Sequence, residues 1–420
     1  MGNNNSVEFR KNTQFRKFQA YGFLKNLQFF EPFLLLFFLS LNLSYTQIGT
    51  LYATREITRY IFEIPSGVMA DSWGRRRTLA GSFLFYIASF LIFYAGKSYG
   101  LMFMAMISYA MGDAFRSGTH KAMIFEYLRI KGWEDQKVNY YGHTRAASQT
   151  GSAISSLIAA SVVFITRNYS FVFIISVIPY IIDFFLIISY PSALEGKDGT
   201  GMPRQIFREF RKTFGDFLLS FKNPEIFRRI LFLSSFSGFY KASKDYLQAL
   251  VKNAVVLLPV LVMLEKEQRT SLLIGIVYFL IYLMNSYASR KSDTFLKKIR
   301  NTPGAMYGNI FTGFGAGLLS GILYLAGAKL LAILPFLLIF IVENLRKPIG
   351  IAYISESLNR NILASSLSAE SQLSSVMAGI YAILIGFLAD EFSIGISLTS
   401  VSMFLLFTSI ITRLLVKRQK

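Results

Sequence analysis

The chain has 420 residues, of which 53% are hydrophobic and only 16% are charged. A soluble domain carries about 25% charged residues to cover its surface, so this composition excludes a soluble multidomain protein. There is no cysteine, and histidine occurs only at His120 and His143, which excludes disulfides and thiolate- or histidine-rich metal sites. We therefore predict no metal and no cofactor.

Apolar runs long enough to cross a bilayer follow one another along the chain. They fall at about 18–42, 45–69, 79–97, 99–128, 141–166 and 169–191, and then at 227–250, 268–289, 304–327, 329–358, 366–389 and 393–415. A membrane-spanning helix needs about 20 apolar residues, so we predict twelve spans. The run 254–264 is too short to span, and we expect an interfacial or re-entrant loop there. No cleavable signal peptide is expected before the first span.

A polar stretch at 192–226 separates two sets of six spans. The predicted organisation is a tail at 1–17, a six-helix bundle at 18–191, a central loop at 192–226, a second bundle at 227–415 and a tail at 416–420. With both ends inside, the inner segments hold about 28 Lys and Arg and the outer loops about six, as the positive-inside rule requires. We expect a multi-pass protein of the bacterial cytoplasmic membrane. Its net charge of +20 is then explained by topology and anionic lipid, without nucleic acid.

The two halves of the sequence repeat a charge pattern. Asp113-x-x-Arg116 recurs as Glu343-x-x-Arg346, and each is followed by a second acid at the same spacing. Many secondary transporters are built from repeated halves, with a solute site at the repeat interface. Their three-residue spacing also predicts that each acid pairs with the arginine on its own helix.

The sharpest motif lies between spans 2 and 3. The sequence from Gly67 to Arg77 resembles the signature loop of the major facilitator superfamily, whose pattern is G-x-x-x-D-x-x-G-R-[RK]. The resemblance implies an all-α membrane protein of twelve helices in two pseudo-symmetric six-helix bundles, working by alternating access. It also implies a cytoplasmic latch, in which Asp71 meets the start of helix 11 and Arg75 pairs with Glu126. The expected latch residues are Gly67, Asp71, Gly74, Arg75, Arg76 and Glu126.

The lead-in Phe62-Glu-Ile-Pro-Ser-Gly67 is similar to that of drug-exporting members of the family. This likeness favours export. Span 5 departs from the exporters because it lacks their Gly-Pro antiporter motif.

Charged side chains at membrane depth are the candidate site residues. An ion in the bilayer is energetically costly, so such residues usually have a structural or functional role. In the family, helices 1, 4, 7 and 10 line the central cavity, with helices 2, 5, 8 and 11 beside them. If the basic residues do the same, they form a cluster suited to carboxylate or phosphate. The candidate substrate-binding residues are Arg55, Arg59, Arg116, Lys241, Lys244, Arg346 and Lys347. Polar support is expected from Glu63, Arg145, Gln149, Glu370 and Gln372.

Coupling to an ion gradient is expected, since the sequence has no phosphate-binding Walker loop and no enzyme motif. The candidate proton-coupling residues are Glu31, Asp113, Glu343, His120 and Asp245. His120 has an equally good interpretation as a packing residue, and sodium stays open as the coupling ion. We expect a monomeric, non-enzymatic transporter of a small organic anion. The alternatives are efflux of a lipophilic or cationic drug neutralised by Glu31 or Asp113, and a non-transporting receptor or assembly factor.

Overall fold

A computed structural model describes residues 12–195, 208, 215, 224–257, 263–298, 302–355 and 360–417. Regular secondary structure in these ranges is entirely helical. The first half contains α1 (Thr13–Lys25), α2 (Leu34–Ser40), α3 (Tyr45–Ser72), α4 (Arg75–Ala95), α5 (Tyr99–Arg116), α6 (Thr119–Ile130), α7 (Lys137–Thr166) and α8 (Phe171–Ile188). The second contains α9 (Pro224–Ser243), α10 (Tyr246–Val255), α11 (Lys266–Lys298), α12 (Thr302–Leu325), α13 (Lys329–Ser355), α14 (Arg360–Glu391) and α15 (Ile394–Lys417).

Among the described helices, seven are long and apolar enough to cross a membrane by themselves. These are α4, α7, α8, α11, α12, α14 and α15. The other predicted spans correspond to α1 with α2, to α3, to α5 with α6, to α9 with α10, and to α13. This set confirms the all-α fold class. The short run 254–264 lies partly outside the described residues, so its placement stays a prediction.

Three of the five spans outside this set of seven are broken. Span 4 breaks between α5 and α6 at Gly118, whose φ of +74° is the left-handed conformation that glycine adopts most readily. Span 1 is interrupted after α1 and resumes in a short 3-10 helix, Glu31–Phe33. Span 7 is interrupted at Lys244 and Asp245. Each break places polar backbone beside the charged residues of its span.

The chain folds as two compact units. The first unit contains the described residues of Met1–Phe33, Thr58–Phe210 and Gly275–Tyr282. Its core is aromatic: the ring of Tyr180 lies 5.2 Å from that of Tyr86 and 4.9 Å from that of Phe90. Serine hydroxyls tie its helices together, as where Ser66 donates to the Ala114 carbonyl oxygen at 2.8 Å.

The second unit contains the described residues of Leu34–Ile57, Arg211–Ile274 and Leu283–Lys420. Asp390, near the end of α14, accepts hydrogen bonds from the backbone N–H groups of Tyr45 at 2.8 Å and Thr46 at 2.7 Å. A carboxylate in this position satisfies donors that the first turn of α3 would otherwise leave free. The side chain of Gln248 does the same for α2, accepting from Leu35 N–H at 2.9 Å.

A substitution at Gly151 tests the close packing of α7 on α1. A Cβ at this position would collide with the Phe23 carbonyl oxygen, so Gly151→Ala must push the two helices apart. Overpacking of this kind costs about 1–3 kcal/mol, and we expect a lower Tm of the purified protein in detergent. A Cβ on Gly142, on the same helix, would have nothing within 4 Å. Gly142→Ala is the matched control, and it should leave Tm unchanged or raise it. Equal melting temperatures for the two variants would contradict this packing.

Candidate solute-binding cavity

A cavity of about 330 Å³ opens within the first unit. Its walls come from α1, from the break between α5 and α6, and from α7. The lining residues are Phe18, Tyr21, Gly22, Lys25, Asn26, Arg116, Gly118, His120, Lys121, Ile124, Tyr141, Thr144, Arg145 and Ser148. Breaking span 4 at Gly118 places Arg116, His120 and Lys121 around this space.

The charge of the cavity wall has one sign. Its charged residues are Lys25, Arg116, Lys121 and Arg145, and none of the described residues that line it is acidic. Aromatic rings contact one of these cations: the Lys121 ammonium group is 5.5 Å from the ring centre of Phe125 and 5.6 Å from that of Tyr141. Such cation–π contacts hold a cation in place without neutralising it.

Arg116 is oriented by a three-residue network. Its guanidinium lies 3.3 Å from the Asp113 carboxylate, and its Nε donates to the Tyr86 hydroxyl at 3.0 Å. Tyr86 in turn donates to the same carboxylate at 2.5 Å. The pairing predicted from the three-residue spacing is confirmed. Asp113 itself does not line the cavity, so it fixes Arg116 from behind.

His120 lines the cavity as a packed ring. It stacks on Tyr21 with ring centres 3.6 Å apart, and its Nε2 lies 3.4 Å from the Tyr190 hydroxyl. Phe18 contacts it edge-on at 5.4 Å. These contacts match the packing interpretation of His120, and its role in proton coupling stays a prediction.

The second unit gathers a separate ion network around Arg346. Its guanidinium lies 2.9 Å from the Glu343 carboxylate and 3.4 Å from that of Glu370, and it also donates to the Ser237 hydroxyl. Glu343 and Arg346 are each only 4% exposed. Lys347 lies 3.6 Å from Glu343. The predicted Glu343–Arg346 pair is therefore confirmed, and it is one part of a larger network.

A further cluster in the second unit contains Lys241, Glu56 and Arg55. The Glu56 carboxylate lies 3.3 Å from the Lys241 ammonium group and 3.4 Å from the Arg55 guanidinium. Lys241 also donates to the hydroxyls of Ser374 and Ser375. Lys244 lies 4.0 Å from the carboxylate of Asp245, which is buried at the start of α10.

The seven predicted substrate-binding residues thus fall in several places. Arg116 lines the cavity of the first unit, and Arg59 is assigned to that unit as well. The remaining five are each within ion-pair distance of a carboxylate in the second unit: Arg55, Lys241, Lys244, Arg346 and Lys347. Lys25 and Lys121 line the cavity although they were not among the predicted binding residues.

The other predicted polar residues are also placed. Glu31 accepts a hydrogen bond from the Tyr282 hydroxyl at 2.9 Å, within the first unit. Arg145 lines the cavity. The Gln372 amide donates to Ser368 at 3.3 Å on its own helix, and Glu370 belongs to the Arg346 network. Glu63 and Gln149 are half-buried.

The signature loop between α3 and α4 is held by Glu195. Gly74 has φ +102°, and a Cβ there would collide with the Glu195 carboxylate. That carboxylate lies 2.8 Å from Arg76 and 3.5 Å from Arg77, and the Glu195 carbonyl oxygen accepts from Arg75 N–H at 2.7 Å. Sequence reasoning missed Glu195 because it lies far from the motif, at the end of the first half.

The predicted ion pair between Arg75 and Glu126 is not formed. Both residues are described, and each has another partner: Arg75 lies 3.6 Å from Asp71, and Glu126 lies 2.5 Å from Arg129. The physical reason is proximity, since both observed partners are within about one helical turn. Gly67, the first glycine of the expected latch, has no close neighbour in this structure: a Cβ there would meet nothing within 4 Å.

The Arg346 network gives a stability prediction. Arg346→Met leaves Glu343 and Glu370 without their shared cation, and removal of one partner from a buried pair costs about 3–5 kcal/mol. We expect a strongly lowered Tm. Lys347→Met is the matched control, because the Lys347 side chain is 58% exposed and exposed pairs contribute about 0–1 kcal/mol. Adding Glu343→Gln to Arg346→Met should restore part of the loss. Similar melting temperatures for the two single variants would contradict the network.

Known proteins resemble this chain in sequence and in fold. A 90-residue segment is 38% identical to the "Uncharacterized MFS-type transporter YxaM" of Bacillus subtilis (strain 168). The alignment covers 21% of this chain and 23% of that protein, so the chain matches under a quarter of the relative's length.

Solved structures extend the likeness to the whole fold. A mutant of the nucleoside transporter NupG matches with a TM-score of 0.77 at 13% identity, covering 95% of this chain and 99% of that one. A POT family transporter in complex with 5-aminolevulinic acid matches with a TM-score of 0.68 at 12% identity, covering 96% and 95%.

The family itself is shown by a sequence-family match. The family model of the Major Facilitator Superfamily matches residues 26–389, which is most of the chain. This confirms the family inferred from the Gly67–Arg77 loop. The chain belongs to the Major Facilitator Superfamily, a family of multi-pass membrane transporters.

Proposed function

We propose that this protein is a secondary active transporter that moves a small organic anion by alternating access. The observation that carries the proposal is the sign of the cavity wall: four cationic side chains and no acidic one among the described lining residues. All four residues lie in predicted spans, where charged side chains are costly and characteristic of functional sites, although Lys121 and Arg145 are exposed. Asp113 pairs with Arg116 from outside the lining, and an anionic solute would add the negative charge that the lining residues themselves do not carry.

The chemistry of the wall narrows the solute further. Arg116 and Arg145 offer planar forks of donors, which suit carboxylate, sulfonate or phosphate groups. Phe18, Tyr21 and Tyr141 add apolar ring faces to the same wall. The volume of about 330 Å³ is at the small end of the range for ligand pockets, about 300–1,000 Å³. An anion attached to a single aromatic ring satisfies all three features.

Transport by this chain is proposed to be coupled to protons, as expected from the sequence. The carboxylic acids Glu31, Asp113, Glu343 and Asp245 remain candidates for the coupling group, with His120. Export stays a prediction, because it depends on the similarity of the Phe62–Gly67 segment to drug exporters. The same segment is what favours the alternative, efflux of a lipophilic cation.

Flux measurements in proteoliposomes separate the candidates. Benzenesulfonate is a suitable anionic probe because it has one ring, stays ionised at any workable pH and leaks slowly through lipid. We expect counterflow of labelled benzenesulfonate into liposomes that contain the protein. Tetraphenylphosphonium tests the alternative. Counterflow of tetraphenylphosphonium without benzenesulfonate would overturn the anion proposal, and binding of either probe without flux would favour a receptor.

A substitution of Lys121 tests whether the cavity binds the anionic probe. Lys121→Gln removes one cation from the wall, and a hydrogen bond to a charged group is worth about 1.5–3 kcal/mol. We expect the Kd for benzenesulfonate, measured by titration calorimetry on the purified protein, to rise about ten-fold or more. Lys131→Gln is the control, since Lys131 is exposed after the end of α6 and does not line the cavity. Equal affinities for the two variants would contradict the site.

A further inference from the structure

Asp183 is the most unusual ionisable residue of the first unit. It lies on α8 and is 0% exposed. Neither of its carboxyl oxygens has a hydrogen-bond partner among the described residues. By contrast, the Asp113 and Glu343 carboxylates are each held by an arginine on their own helix.

An unpartnered buried carboxyl group is stable only as the neutral acid. Burying a bare carboxylate costs far more than burying a neutral polar group, so an isolated acid in this position takes up a proton instead. A carboxyl group placed like Asp183 is therefore expected to carry a proton.

The groups that surround Asp183 come from every helix packed against α8. The helices in contact with α8 are α1, α4 and α7. Tyr21, Lys25, Tyr180 and Tyr190 are within electrostatic range of Asp183. The next titratable or charged groups, which lie around those tyrosines, are Tyr86, Asp113, Arg116, His120 and Tyr140. Lys25 is the cation within electrostatic range of Asp183.

Two contacts fix how α8 runs beside α1. At one end, the Tyr180 hydroxyl donates to the Lys25 carbonyl oxygen at 3.1 Å. At the other, the Lys17 ammonium group donates to the Ser189 carbonyl oxygen at 2.8 Å. Asp183 lies between these contacts along α8 and is within electrostatic range of Tyr21 and Lys25. Both of these residues line the cavity, so Asp183 lies near its wall.

We propose that Asp183 is the proton-binding carboxyl group of the transport cycle, and that its proton and the anion in the cavity are bound together. The proposal rests on the proposed function, because it takes the cavity as the anion site. While Asp183 is neutral, the charge of Lys25 is available to the anion. Loss of the proton to water creates a carboxylate behind the wall, which attracts Lys25 and repels the solute.

This linkage determines the direction in which the proton and the anion move relative to each other. Because the protonated form binds the anion better, proton and anion cross in the same direction. An inward proton gradient then drives uptake of the anion, opposite to the export expected from the drug-exporter likeness.

Infrared spectroscopy tests the proton without any solute. The purified protein should show the C=O stretch of a buried carboxylic acid, and Asp183→Asn should remove that band. Asp135→Asn, an exposed acid beside the start of α7, is the control and should retain it. If the band is missing in the wild type, or survives in Asp183→Asn, the inference is wrong.

The second measurement tests the linkage to the anion. The affinity of the wild type for benzenesulfonate should fall about ten-fold as the pH rises through the titration of Asp183, a typical size for coupling between two sites. Asp183→Asn is permanently neutral, so its affinity should fall much less than that of the wild type over the same pH range. It should still exchange labelled for unlabelled benzenesulfonate in liposomes, but a proton gradient should no longer drive accumulation. Asp183→Glu should recover both pH dependence and accumulation.

The outcomes separate the two proposals. Absence of benzenesulfonate binding at any pH contradicts the proposed function, while the infrared band still reports on Asp183. Binding that depends on pH equally in the wild type and in Asp183→Asn contradicts the role of Asp183 and leaves the anion site intact. Proton-driven accumulation that survives in Asp183→Asn overturns the coupling in the same way.

Discussion

The cost of placing an ion in hydrocarbon governs this molecule. An unpaired charge at the centre of a bilayer costs about 2.5–3.5 kcal/mol on insertion scales, so its neutralisation shapes every span that carries one. Asp113 and Arg116 neutralise each other within one helix, as do Glu343 and Arg346. Glu56 is shared between Lys241 and Arg55. The charged spans are held in register by these contacts where apolar packing alone would leave rotation free.

Two neighbouring places in the first unit depart from this pattern, although Arg116 of the cavity wall is itself paired with Asp113. The cavity wall presents cations without an acid among its described lining residues, and Asp183 is an acid without a hydrogen-bond partner in the described part of the chain. A wall that is short of negative charge can recruit a solute, and a carboxyl group without a partner can exchange a proton. Ion pairs such as Glu343–Arg346 and Glu56–Lys241 neutralise charges elsewhere in the spans, so these two departures can be used for function.

Much of the fold could be predicted from the sequence, because length, hydropathy and short-range spacing are properties of single helices. The twelve apolar runs, the Gly67–Arg77 loop and the two three-residue ion pairs are of this kind. Long-range partners were harder to predict. The expected Arg75–Glu126 pair was wrong because each residue found a partner within about one turn along the chain, while Glu195, far from the loop in sequence, holds Arg76. Candidate basic residues could be identified by depth, but depth does not reveal which carboxylate stands beside each one. For the same reason, the sequence shows Asp183 as an acid within a span and cannot show which groups surround it.

The pairing of charges three residues apart also matters before the protein has folded. A helix that enters the membrane from the translocon meets lipid before it meets its neighbours. Asp113 with Arg116, and Glu343 with Arg346, can already neutralise each other inside the isolated helix, since their spacing places them on one face. Asp183 can enter as the neutral acid. The arrangement that stabilises the finished bundle therefore also lowers the barrier to inserting its most polar segments one at a time during synthesis.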